Sequence, residues 1–136
     1  MMLKIKKLFI KKLFIVVLSL FTFAVFAGET LQISQQDLLN NLEKPNNIVI
    51  LDVRSENEYN HGHLTGAINI SHDDVADNLA ELAQYKDNTL VVYCRSGRRA
   101  GLAEDILAKD GFENILHLTG DMNAWVAAKL PVVTGE

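Results

Sequence analysis

The sequence predicts an α/β fold: a mainly parallel sheet of about five strands with helices on both faces. Three observations predict it. Ile48–Leu51 and Leu90–Tyr93 are short apolar runs with no polar alternation, the pattern of strands buried on both faces of a parallel sheet. Runs of this kind alternate along the chain with stretches of helical spacing. Each of the two runs also ends on a residue with chemistry, Asp52 and Cys94 respectively. That places both at the carboxyl edge of the sheet, where open α/β sheets hold their ligands.

The first 27 residues stand apart from this pattern. Met1 to Lys12 carries five lysines and no acid, and Leu13 to Ala27 is apolar apart from Ser19 and Thr22. Val25 and Ala27 occupy the −3 and −1 positions of a small-residue cleavage site ahead of Gly28, so residues 1–27 read as a signal peptide cleaved after Ala27. The apolar stretch falls short of the roughly 20 residues that span a bilayer. Residues 28–136 are then the folded domain, expected in the periplasm or secreted, with no stable membrane association after cleavage.

Within that domain Gly28–Ile33 is expected as a first strand, and Ser34 with Asp37 as a capping box opening a helix through Leu42. Pro45-Asn46-Asn47 turns the chain into the Ile48–Leu51 strand. Ser55 and Glu58 are spaced as a second capping box. His61 to Asn69 is a Gly-punctuated loop that ends in a brief strand. Ser71 with Asp74 is expected to cap a helix whose Val75, Leu79, Leu82 and Ala83 form an apolar stripe. After the Leu90–Tyr93 strand, Leu102, Ala103, Ile106 and Leu107 recur at helical spacing, and Gly111 is placed to end that helix. Ile115–Leu118 is a last parallel strand. Gly120 leads into a helix with Met122, Trp125 and Val126, Trp125 facing the core. Pro131 ends regular structure, and Val132–Glu136 is expected as a tail.

Charge and cysteine usage narrow the function. The chain has 13 basic and 17 acidic residues; the five leader lysines leave eight basic residues for the domain. A body this acidic is repelled by nucleic acid and anionic membrane surfaces. Three of the eight, Arg95, Arg98 and Arg99, lie in the loop after Cys94. An acidic body with one basic pocket suits a small anionic substrate. Cys94 is the only cysteine, so it cannot staple its own chain. Amides converging at a helix N-terminus, with arginines beside them, favour thiolate over thiol and cradle an anion. Gly97 suits a positive φ in a tight loop.

The segments D-V-R-S-E-N-E-Y-N-H-G-H-L-T-G-A-I-N-I, V-V-Y-C-R-S-G-R-R-A and L-T-G-D-M-N-A-W followed by L-P-V resemble, in order and spacing, the motifs of the single-domain rhodanese (thiosulfate sulfurtransferase) family over about Leu31 to Val133. With its leader the chain is similar to the exported members. The resemblance implies a rhodanese-like fold and a sulfurtransferase in which Cys94 carries sulfane sulfur as a persulfide. A small anionic sulfur donor and a thiol or cyanide-like acceptor are the implied partners, with no cofactor; the protein is expected to be a monomer. Arg95, Ser96, Gly97, Arg98 and Arg99 are the implied substrate-binding loop, its backbone N–H groups holding the persulfide anion. Arg99 is expected to fix the loop and the substrate, with Arg95 and Arg98 turned outward. Two departures stand out: Asp121 replaces the second glycine of the usual pair, and Ser71 replaces a common proline. Both are expected to alter loop details rather than activity.

Loop length separates sulfur from phosphorus. Cysteine phosphatases of related fold use a Cys-x5-Arg loop, whereas only four residues separate Cys94 from Arg99. The shorter ring of donors fits one outer sulfur and leaves no room for three phosphate oxygens. A non-catalytic or thiol-exchange module that binds a partner protein is the alternative. Asp52 is expected in a supporting role, accepting hydrogen bonds from a neighbouring loop or pairing with an arginine, with Arg99 as the candidate. Arg54 and Glu58, four apart, are expected to pair with each other. His61 and His63 lack a third converging ligand, so no metal is expected.

Overall fold

The computed structural model describes residues 28–135, and the leader expected over residues 1–27 lies outside them. Five strands form one sheet: β1 (Leu31–Ile33), β2 (Ile48–Asp52), β3 (Ile68–Asn69), β4 (Thr89–Tyr93) and β5 (Ile115–Leu118). Their order is β1-β5-β4-β2-β3, and every pairing is parallel. The helices are α1 (Gln35–Leu42), α2 (Glu56–His61), α3 (Leu79–Leu82), α4 (Arg98–Lys109) and α5 (Asp121–Ala127). The two apolar runs are the central strands, β2 beside β4, with Asp52 opposite Tyr93.

Strand periodicity divides the core into two layers. Leu51, Val53, Leu90 and Val92 face Val75, Leu82, Ala103 and Leu107, the layer under α3 and α4. Ile50, Val91 and Tyr93 face Leu38, Leu64, Met122 and Trp125, the layer under α1 and α5. Both layers draw side chains from Leu90–Tyr93 of β4, which is buried on both faces, and this is why that run shows no alternation. Trp125 is in the core, its indole N–H donating to the Pro131 carbonyl at 2.9 Å.

Helix ends follow their local chemistry. The Ser34 hydroxyl accepts the Asp37 N–H at 3.1 Å. At Ser55 both halves of the capping box form, with the Glu58 carboxylate accepting the Ser55 N–H. Beyond α4, Phe112 N–H reaches the Leu107 carbonyl and Gly111 N–H the Ala108 carbonyl, a Schellman end made possible by φ +92° at Gly111.

Five expectations are corrected. Ser71 makes no side-chain cap. The Asp74 N–H instead bonds the Ser71 carbonyl at 2.8 Å, closing a 3-10 turn. The Asn78 side chain then occupies the Asp74 carbonyl at 2.8 Å, so residues 72–85 form short turns around α3 rather than one helix. The stripe survives at Val75 and Leu82, but Ala83 is exposed. Leu102 and Val126 are 44% and 56% exposed, because each helix turns only part of its apolar set toward the sheet. The tail expected over Val132–Glu136 is not free where it is described: Val133 and His63 exchange two backbone hydrogen bonds of 2.9 Å as an antiparallel bridge, while Glu136 lies outside the described residues.

This division of α4 is measurable. Leu107→Ala should lower folding stability by about 2–5 kcal/mol, whereas Leu102→Ala should stay within about 0.5 kcal/mol of the parent. Denaturant midpoints of the two variants check the difference.

Candidate active site

Cys94 follows β4 directly and is 1% exposed. The chain then turns through Arg95, Ser96 and Gly97 into α4. Gly97 adopts φ +112°, and its N–H donates to Cys94 Sγ at 3.0 Å. A side chain at Gly97 would meet Asp121 Oδ2 at 3.2 Å and His117 Nε2 at 3.6 Å, so both the backbone angle and the space require glycine.

The loop is held from behind by the start of α5. Met122 N–H donates to the Cys94 carbonyl at 3.0 Å and Asn123 N–H to the Arg95 carbonyl at 3.1 Å. Asp121 Oδ1 accepts the Cys94 N–H at 2.9 Å. In a trans peptide the C=O and N–H point opposite ways, so anchoring these carbonyls turns the Arg95 and Ser96 N–H groups away from α5. The arrangement leaves donors free for an anion on the sulfur.

The arginines divide. Arg95 and Arg98 are exposed, as is Ser96. Arg95 borders a cleft of about 630 Å³ shared with Arg54, Asn57, Met122 and Val132. Arg99 forks on Glu58, with distances of 2.7 and 2.9 Å to its two oxygens. Its guanidinium, with help from Ser55, holds the Glu58 carboxyl down to about 2. Arg99 therefore ties the loop to α2 with both terminal nitrogens already engaged.

That pairing corrects two expectations at once. Asp52 does not pair with Arg99, and Arg54 does not pair with Glu58. Arg54 instead bonds Asp52, the closest approach being 2.6 Å from Nη2 to Oδ2, and also reaches the Gly62 carbonyl. The Tyr93 hydroxyl donates to Asp52 Oδ2 at 2.6 Å and accepts the Leu64 N–H. The physical reason is register: Asp52 and Tyr93 are opposed across β2 and β4, and a buried carboxylate takes the nearest donors. Burial and the Asp52 charge push the Tyr93 phenol far upward, so it stays a donor. This network joins the ends of β2 and β4 to the loop before β3, and so fixes the platform from which Cys94 projects.

His61 and His63 go elsewhere. His61 Nδ1 lies 2.7 Å from the Asn57 carbonyl, while His63 stacks on Tyr59 at 3.5 Å between ring centroids. The sequence reading missed a second buried cluster. Glu104 of α4 lies 2.5 Å from His117 Nδ1, and Asp121 lies 2.9 Å from His117 Nε2. With a carboxylate at each ring nitrogen, first Asp121 and then Glu104, His117 is pushed up to about 10. The available signal was the aspartate at a glycine position, four residues after a histidine on β5.

Residues 34–128 match the family model described as "Rhodanese-like domain". The uncharacterized protein YibN of Escherichia coli K12 is 30% identical over 89 residues, 65% of this chain and 62% of YibN, so part of YibN lies beyond the match. The thiosulfate sulfurtransferase PspE of the same strain is 36% identical over 70 residues, 52% of this chain and 67% of PspE. A rhodanese-related protein from Thermoplasma volcanium superposes with a TM-score of 0.68 at 28% identity, covering 77% of this chain and 99% of the other.

The His117 cluster sets an alkaline limit to stability. A histidine raised on folding contributes in full below its ordinary value of 6.5, and its contribution is lost as pH rises through about 10. Denaturant titrations across that range should show the parent losing stability more steeply than His117→Gln. Parallel pH dependences would mean that the cluster holds no proton.

Proposed function

This chain belongs to the rhodanese-like family, and we propose that it is a sulfurtransferase that carries sulfane sulfur on Cys94 as a persulfide. The observation that carries the reading is the Gly97 N–H on Cys94 Sγ, within a loop whose carbonyls α5 has already engaged. Such a loop stabilises negative charge on the sulfur without reorganising when the charge arrives. Thiosulfate is the donor class that best suits it, in keeping with the name of PspE.

The Cys94 thiolate attacks the outer sulfur of thiosulfate. The sulfur–sulfur bond of the donor breaks, and sulfite leaves with its electron pair. The persulfide anion then lies against the N–H groups of Arg95 through Gly97. A thiolate or cyanide attacks the outer sulfur, and Cys94 leaves as the thiolate with which the cycle began. No outside oxidant or reductant is consumed. Arg95 and Arg98, exposed on an acidic body, attract the dianionic donor, while Arg99 keeps the loop on α2. Asp52 and Arg54 support the loop through Tyr93 rather than touching substrate. We place this activity outside the cytoplasm, in a monomer released by cleavage after Ala27, with neither nucleic acid nor membrane as partner.

Thiosulfate and cyanide supplied together should yield thiocyanate, and thiosulfate alone should add the mass of one sulfur to the protein. Cys94→Ser should lose both responses while its thermal transition stays near the parent's. Transfer that persists in Cys94→Ser would remove the mechanism. Phosphate release from aryl phosphates by the parent would show that loop size does not select the substrate.

A further inference from the structure

The Glu104–His117–Asp121 cluster lies directly behind the Cys94 loop and touches it twice. Asp121 Oδ1 takes the Cys94 N–H, and the Asp121 carboxylate and His117 imidazole pack beneath Gly97, whose N–H donates to the sulfur. Glu104 and Asp121 are 4% and 2% exposed, so their charges are poorly screened by water. Asp121 also holds φ +54°, a conformation that a side chain rarely adopts and that the surrounding bonds must maintain.

A buried carboxylate this close to the nucleophile is at first sight unfavourable. Negative charge there opposes both the thiolate and the persulfide anion. The imidazolium between the two carboxylates answers this, because it places a positive charge next to the one that faces the loop. Other charged groups near the cluster are Glu29 ahead of β1 and Asp105 of α4. On the loop itself stand Arg95, Arg98 and Arg99, the last neutralised by Glu58 of α2.

We propose that Asp121 and His117 are positioning residues for sulfur transfer: Asp121 anchors the Cys94 backbone, and His117 offsets the carboxylate charge that would otherwise raise the energy of the sulfur anion. The cluster is thus an electrostatic buttress that sets the reactivity of Cys94 from the side away from substrate. This rests on the sulfurtransferase reading for its purpose, but not for its measurement.

Cys94 is the only thiol, so its alkylation by iodoacetamide reports the sulfur anion without any sulfur transfer. The rate, measured against pH, gives a midpoint for each variant. His117→Gln leaves two uncompensated carboxylates and should move the midpoint up by about one pH unit. Asp121→Asn keeps an acceptor for the Cys94 N–H but removes a negative charge, and should move it down. The double variant should return close to the parent. Opposite signs are the expected result, since a cluster that merely holds the loop together would shift both single variants the same way. Shifts of one sign, or none, overturn the proposal. Should either variant fail to fold, Glu104→Gln decides the matter: a lower midpoint supports the buttress, and an unmoved or higher one overturns it. Absence of persulfide in the parent would refute the sulfurtransferase reading while leaving these midpoints interpretable.

Discussion

The site depends on one constraint, the attachment of the Cys94–Arg95 segment to the first turn of α5. Three hydrogen bonds of 2.9–3.1 Å make that attachment, two to carbonyls and one to an amide. Their effect is directional. A loop of consecutive peptides can present N–H groups to an anion only if the carbonyls point elsewhere and find donors there. Met122 and Asn123 supply those donors, and Gly97 supplies the left-handed turn that feeds the chain into α4. Everything else in the fold brings α5 and β4 close enough for this to happen: β5 lies beside β4, and α5 follows β5 after two residues.

Around that centre the polar groups are arranged in closed sets. Asp52, Arg54 and Tyr93 satisfy one another in front of the β2–β4 edge, and Arg99 satisfies Glu58 at its side. Glu104, His117 and Asp121 form the third set behind. Each set pairs a buried or half-buried charge with its opposite, the condition under which such charges are tolerated. The positive charge left outside these sets near the sulfur belongs to Arg95 and Arg98, on an otherwise acidic surface. In the sulfurtransferase we propose, these sequestered pairs and exposed arginines would define where an anionic donor is drawn.

Much of this was legible in the sequence because it was local or periodic. The unalternating runs identified β2 and β4, and their polar ends placed Asp52 and Cys94 on one edge. The spacing of Ser55 and Glu58 gave the cap of α2, and Gly97 its positive φ. What could not be read was partner choice across the sheet. Glu58 stands four residues from Arg54 and 41 from Arg99, yet the bond is to Arg99. Tyr93 reads as a core aromatic until the register sets it opposite Asp52. The helix expected after Ser71 broke into turns because Ser71 and Asn78 offered competing short-range bonds, a choice that hydrophobic spacing does not record. Asp121 was visible as a departure at a glycine position, but its attachment to the Cys94 backbone needed the return of the chain through β5.

The most direct test is a crystal structure of the chain after thiosulfate treatment, with sulfur retained on Cys94. We expect the outer sulfur within hydrogen-bonding distance of N–H groups of Arg95 through Gly97, with Met122 and Asn123 still on the Cys94 and Arg95 carbonyls. An outer sulfur turned to solvent, or a loop detached from α5 on loading, would contradict the claim that this attachment prepares the loop for the anion.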